Sequence, residues 1–207
     1  MILLEYTLDV RCGEVQVYQG WTSFGFFPKE ALEKQVGLID DRAKFWQPPT
    51  RPHFHAFPEG PCEPNQRWRM IDRVAVVSDG GENRLGWLEG RKDVNPNEWF
   101  FHAHFYQDPV WPGSLGLEGF LQLVSHAARI WWGPGHCSLQ PNSEHEWIYR
   151  GQVTPGIPEV RIIAEITVRN DSNKMVQARG WLLVGEKVLY AMNHFSLAFH
   201  PTGTEVR

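Results

Sequence analysis

The sequence predicts an α+β protein, an antiparallel sheet with one long helix in its midst. Three observations predict it. Most of the chain reads as short runs that alternate apolar and polar residues and end at glycine, proline or asparagine turns, the period of half-buried strands. One stretch, 114–132, lacks that period and is apolar nearly all round, as a buried helix should be. The aromatic load is heavy, with 10 Trp and 12 Phe in 207 residues, which suits a sheet-rich core better than a helical bundle.

Taken in order, the opening MILLEYTLDVRCGEVQVYQG reads as strand. It carries Glu5 and Asp9 where a signal peptide needs a basic start and an unbroken apolar stretch. Residues 13–27 are strand-like, and PKEALEKQVGLIDD then reads as a short helix with Pro28 near its start. Six of the 15 prolines fall between Pro48 and Pro64, a composition that continues neither a helix nor a sheet interior. The chain therefore divides into an N-terminal piece 1–46, a Pro-rich linker or surface-hugging arm 47–66, and a body 67–207. In the body, 69–79 alternates and stops at Gly80-Gly81 before RLGWLEGRKDV resumes, a hairpin pattern. EWFFHAHF is strand-like, which would put His102 and His104 on one face. Ser114 is the candidate N-cap of the helix 114–132, which Pro112-Gly113 precedes and Gly133-Pro134 follows. Strands follow at 146–153, 158–169, 175–184 and 187–200, with turns at 154–158, 170–173 and Gly185.

The run 13–27 also lines up with 185–199: Gly13 with Gly185, Glu14 with Glu186, Tyr18 with Tyr190 and Phe27 with Phe199 are identical. Two readings stand, an internal repeat or two unrelated strands that each follow a glycine-led turn.

Composition narrows the function. The net charge is −4 and no basic stripe is interleaved with aromatics, so nucleic acid is not an expected partner. No run approaches the roughly 18 apolar residues of a membrane span. Cys12, Cys62 and Cys137 form neither a disulfide framework nor a CxxC pair, so a reducing, cytoplasmic location is expected. His53, His55, His102 and His104 have no Cys or carboxylate at ligand spacing, and no metal is expected.

Two residues carry candidate chemistry. Glu118 and Gln122 stand at i and i+4 on the apolar helix, close enough for the amide to hold the carboxyl. Glu118 is then a proton donor or a purely structural carboxyl. His104, at the end of its aromatic run, is a general base or an ordinary hydrogen-bonded histidine.

Taken as one unit, residues 95–122, NPNEWFFHAHFYQDPVWPGSLGLEGFLQ, resemble the active-site segment of the bacterial β-hydroxydecanoyl-thioester dehydratase/isomerase family. The shared motifs are WFF, HF, DPV, PG, LGL, an acid, and a glutamine four residues on. MIDRV, the Gly80-Gly81 pair and YRGQVTP extend the likeness over 67–199. The linked form WFF-x-AHFYQDPVWPGSLGLE is most similar to the dehydratase domains of polyunsaturated fatty acid and polyketide synthases, and 13–39 resembles the end of a preceding hotdog unit there.

The resemblance implies a hotdog fold, a curved antiparallel sheet wrapped around the helix. It implies His104 as base, Glu118 as acid, Gln122 steering the acid, and Gly113 and Val110 at the thioester. It also implies a β-hydroxyacyl substrate carried on the phosphopantetheine of an acyl carrier protein, no other cofactor, and a homodimer or a pairing with another hotdog domain. Glu118 stands where decanoyl-type members carry Asp, and His102 where a small residue is common. Phe101, Phe105, Trp111 and Trp131 are candidate tunnel linings, or simply core. Arg42, Lys44, Arg51, Arg67, Arg69 and Arg73 are candidate contacts for an acidic carrier. A thioesterase, an isomerising dehydratase and a non-catalytic scaffold remain alternatives.

Overall fold

The computed structural model describes residues 2–60 and 64–202, without the side chains of Arg42 and Ala43; Cys62 lies outside the described residues. The chain forms two compact units, Met1–Gln35 and Val36–Arg207.

The first unit is a hairpin of β1 (Ile2–Cys12) and β2 (Val15–Phe26), followed by a single short helix, α1 (Lys29–Glu33). Paired residues of an antiparallel hairpin share a face. Leu4 opposite Phe24, Leu8 opposite Gly20 and Val10 opposite Tyr18 therefore build an apolar face, on which Tyr6 stacks against Phe24 at 5.6 Å. Glu5 opposite Ser23, Thr7 opposite Trp21 and Asp9 opposite Gln19 build the other, more polar one.

The second unit is an eight-stranded antiparallel sheet around a long helix. Its strands are β3 (His55–Ala56), β4 (Arg73–Val77), β5 (Trp87–Asp93), β6 (Gly135–Leu139), β7 (Glu146–Tyr149), β8 (Glu159–Asn170), β9 (Met175–Val184) and β10 (Lys187–Pro201). Their order is β3-β4-β5-β8-β9-β10-β6, with β7 also on β10. Between β5 and β6 come α2 (Trp99–Ala103) and α3 (Gly113–Trp132).

Strand alternation decides which side chains meet α3. On β8, Val160, Ile162, Ala164 and Ile166 join Phe120, Leu123 and Val124 of the helix in one core. Ile163 faces the other way, with Trp87, Trp181 and Leu183, where Phe45 and Trp46 cover the sheet. Each fully buried side chain of this size contributes about 1.5–3 kcal/mol, so the helix-facing layer is the dominant stabilising term.

Several elements differ from the sequence reading, each for a local reason. EWFFHAHF is not a strand: residues 99–103 form α2. A helical turn lets the consecutive Phe100 and Phe101 both bury, which the alternation of a strand forbids. Ser114 is not the N-cap of α3; Pro112 holds that position, with no side chain capping the end. The helix read over PKEALEKQVGLIDD stops at Glu33, and a separate 3-10 turn forms at Asp40–Ala43. Gly37 lies between them at φ 75°, and a Cβ there would sit 2.2 Å from the Val188 carbonyl oxygen, so the chain turns tightly against β10. The strand read over 146–153 ends at Tyr149, and the edge strand β6 had no separate sequence signal. The Pro-rich segment contributes β3 to the sheet edge and buries Phe57 in the core.

The likeness between the runs after Gly13 and Gly185 extends to backbone geometry. Both glycines sit in two-residue turns at φ 60° and 57°. Both hairpins then skip one residue in register, Val17 in β2 and Leu189 in β10, each the fourth residue after its glycine. A second register shift, between Met192 and Phe195, has no counterpart in β2.

Candidate active site

His104 is positioned by its neighbours in sequence. Phe100 and Phe101 bury against Trp111, with ring centroids 4.7 and 6.4 Å away, and so fix α2; His104 caps its C-terminal end. The chain then reverses through Phe105 and Gln107, at φ 58° and 59°, left-handed values that non-glycine residues adopt at a cost of about 1–2 kcal/mol. The reversal brings the Val110 carbonyl oxygen to 3.0 Å from His104 Nδ1. A carbonyl only accepts, so Nδ1 carries the proton in the neutral ring and Nε2 is left with its lone pair. His104 is half-buried, whereas His102 is exposed: on a helical turn, residues two apart do not share a face.

Glu118 sits half-buried in the second turn of α3. Gln122 Nε2 donates to its Oε1 at 2.9 Å, as the i, i+4 spacing predicts. The same amide donates to the Trp68 carbonyl at 2.8 Å, and Gln122 Oε1 accepts the Met70 N–H at 3.0 Å. Gln122 is only 4% exposed, so three hydrogen bonds hold a buried amide in one orientation against one oxygen of Glu118. Trp68 and Met70 act through backbone atoms, and residue type carries no signal for that role.

At the start of α3, the ring of Tyr149 occupies the space a side chain on Gly113 would need: a Cβ there would lie 2.5 Å from Cε1 and 2.7 Å from Oη. Burial raises the pKa of this phenol above its ordinary value. The sequence did not single out Tyr149. The uncapped first turn of α3 presents the backbone N–H groups and partial positive charge of a helix N-terminus.

Among the described residues, His104 and Glu118 make no hydrogen bond to each other; each is held by its own element, one by Val110 and the other by Gln122. The remaining sequence candidates scatter. Phe101 and Trp111 are core, Phe105 is 63% exposed, and Trp131 lies in the last turn of α3. Arg69 bonds Glu59, Arg73 bonds Glu159, and Lys44 pairs with Asp41. Among the described residues, no three His, Cys, Asp or Glu are grouped to hold a metal ion, and no helix is long and apolar enough to cross a membrane.

A family model described as a FabA-like domain matches residues 63–193, which contain both arrangements. The chain belongs to the FabA-like family. A polyunsaturated fatty acid synthase polypeptide of Thraustochytrium sp. is 30% identical over 219 aligned residues. The match takes in 91% of this chain, which spans only 15% of that relative's length. Among solved structures, the dehydratase heterocomplex ApeI:P of Xenorhabdus doucetiae has TM-score 0.50 at 14% identity and covers 67% of this chain and 87% of its own. A thioesterase from Haemophilus influenzae has TM-score 0.44 at 13% identity over 65% of this chain and 82% of its own. The FabA-like chain thus has the hotdog fold, its antiparallel sheet curled around α3.

Proposed function

We propose that this FabA-like chain dehydrates β-hydroxyacyl thioesters, carried on the phosphopantetheine of an acyl carrier protein, to trans-2-enoyl thioesters. The observation that carries this reading is the pair of pre-oriented groups: an imidazole with a free Nε2 lone pair, and a carboxyl steered by a fully bonded glutamine. His104 Nε2 takes the α-proton, and the C–H electron pair becomes the new Cα=Cβ π bond. The Cβ–O bond breaks as Glu118 gives its proton to the departing hydroxyl, which leaves as water. Proton return from imidazolium to carboxylate resets the pair. Negative charge developing on the thioester oxygen is stabilised by the N–H of Gly113 and the dipole of α3, donors that need no reorganisation. The scheme is an elimination of water without change of oxidation state and calls on no metal or redox group.

The family resemblance implies a second hotdog unit, a copy of this chain or another domain, and the reading includes it. Each site then takes its base from one unit and its acid from the other.

The test is kinetic. His104→Ala should lower kcat on a β-hydroxyacyl carrier by about 10² to 10⁴, the usual contribution of a general base. Glu118→Gln keeps size and hydrogen bonding but has no carboxyl proton to give, so turnover should collapse with KM little changed. Folded variants that keep the wild-type rate would remove both assignments.

A further inference from the structure

The wall that holds Gln122 has a second side. Trp68, whose carbonyl bonds the Gln122 amide, is flanked by Arg67 and Arg69, and these line a cavity of about 550 Å³ with Asp72, Lys92, Glu98 and Trp99. Trp99 opens α2, the helix that ends at His104, so the cavity lies between the anchor of the acid and the support of the base.

Its cations are not equivalent. Arg69 is spent on the protein: its guanidinium bonds Glu59 and the carbonyls of Phe57 and Ile71. Lys92 is shared between Asp72 at 3.1 Å and Glu98 at 3.5 Å. Arg67 differs. Its guanidinium lies 4.8 Å from the Trp99 ring centroid and 5.9 Å from that of Trp68, and no carboxylate of the described residues pairs with it. The two indoles meet edge to face at 5.2 Å, and Trp99 Nε1 donates to the Arg67 carbonyl at 3.1 Å, so the aromatic seat is itself fixed. A guanidinium seated by cation–π contacts keeps its N–H groups for an oxyanion acceptor, which its planar fork can bind in bidentate fashion.

The geometry points to Arg67 as the seat of a phosphodiester monoanion, the group that joins a pantetheine arm to its carrier. The lining sets three cations, Arg67, Arg69 and Lys92, against two carboxylates, Asp72 and Glu98, an excess of one positive charge. That balance suits a single negative charge and opposes the dianion of a phosphate monoester. The inference rests on the proposed carrier-thioester reaction and adds to it the residue that grips the arm.

Two synthetic substrates separate the grip from the chemistry: the β-hydroxyacyl thioester of pantetheine, and the same thioester bearing an ethyl phosphodiester at the terminal hydroxyl. The wild type should favour the phosphodiester in kcat/KM by about tenfold, the worth of one charge-assisted contact. Arg67→Gln should bring that ratio to about one, and Arg67→Lys, which keeps charge but loses the planar edge, should fall between. Direct binding of the unacylated ethyl phosphodiester, followed by tryptophan fluorescence, should weaken by a similar factor in Arg67→Gln. A wild-type ratio near one, or a ratio and binding that Arg67→Gln leaves unchanged, would overturn the assignment. Binding that depends on Arg67, with neither thioester dehydrated, would keep the anion seat and sink the proposed reaction instead.

Discussion

Gln122 is the residue through which the rest of the molecule acts on the acid. Its three hydrogen bonds tie α3 to the segment before β4 and aim one amide hydrogen at Glu118. Gln122→Leu keeps the bulk and removes all three, stranding the Met70 N–H; stability should fall by about 1–3 kcal/mol, the desolvation cost of an unmet buried donor, and kcat should fall with it. Chemical denaturation and steady-state kinetics read the two losses separately. The Glu118–Gln122 contact was legible in the sequence because i, i+4 neighbours meet on any helix. The Trp68 and Met70 ends were not, because backbone partners more than 50 positions away leave no mark on residue type. The hold of Val110 on the His104 tautomer was hidden for the same reason: it is exerted by a backbone carbonyl, and the DPV motif marks only the side chain.

His126 gives the fold a pH dependence. It is 9% exposed on α3, packed against Phe57 and His55, and burial together with nearby Arg129 and His55 lowers its pKa from 6.5 to about 4. The folded state therefore holds this ring neutral where the unfolded chain binds a proton. Its contribution is whole above pH 6.5 and is lost as pH falls toward 4, to a total of about 3 kcal/mol. Melting temperatures at neutral and acid pH should diverge less in His126→Leu than in the wild type; equal divergence would contradict the assignment.

At the scale of elements, close backbone packing sets the distance between α3 and its sheet. Gly180 of β9 faces Phe120, and a Cβ there would lie 2.3 Å from the ring and 2.6 Å from the Ile163 carbonyl oxygen. Gly180→Ala should cost about 1–3 kcal/mol by overpacking, visible as a lower melting temperature. The long strands and α3 were readable from period and turn chemistry. α2 was not, because a single helical turn of aromatic residues has the composition of a strand, and only tertiary burial of adjacent Phe100 and Phe101 decides between them. The hairpin of β1 and β2 belongs to the unit Met1–Gln35. A fragment of residues 36–207 should accordingly fold by itself, with a single cooperative thermal transition; a fragment that shows none would contradict the division.

At the scale of the whole molecule, a site shared between units draws on two hotdog units at each reaction centre, and a symmetric pair holds two centres. If the second is another copy, co-refolding equal amounts of His104→Ala and Glu118→Gln chains makes about half the dimers mixed, and each mixed dimer regains one complete site by symmetry. Activity should then return to about a quarter of the wild-type total. No recovery in a sample shown to contain mixed dimers would assign the second unit to a different domain or place both groups within one chain. Dehydration itself is tested most directly by mass spectrometry of a β-hydroxyacyl carrier protein after incubation with the wild-type chain. The expected product is an acyl group still bound to the carrier and lighter by one water, formed at a rate that Glu118→Gln abolishes. Release of free acid and carrier thiol, or an unaltered acyl group, would contradict it.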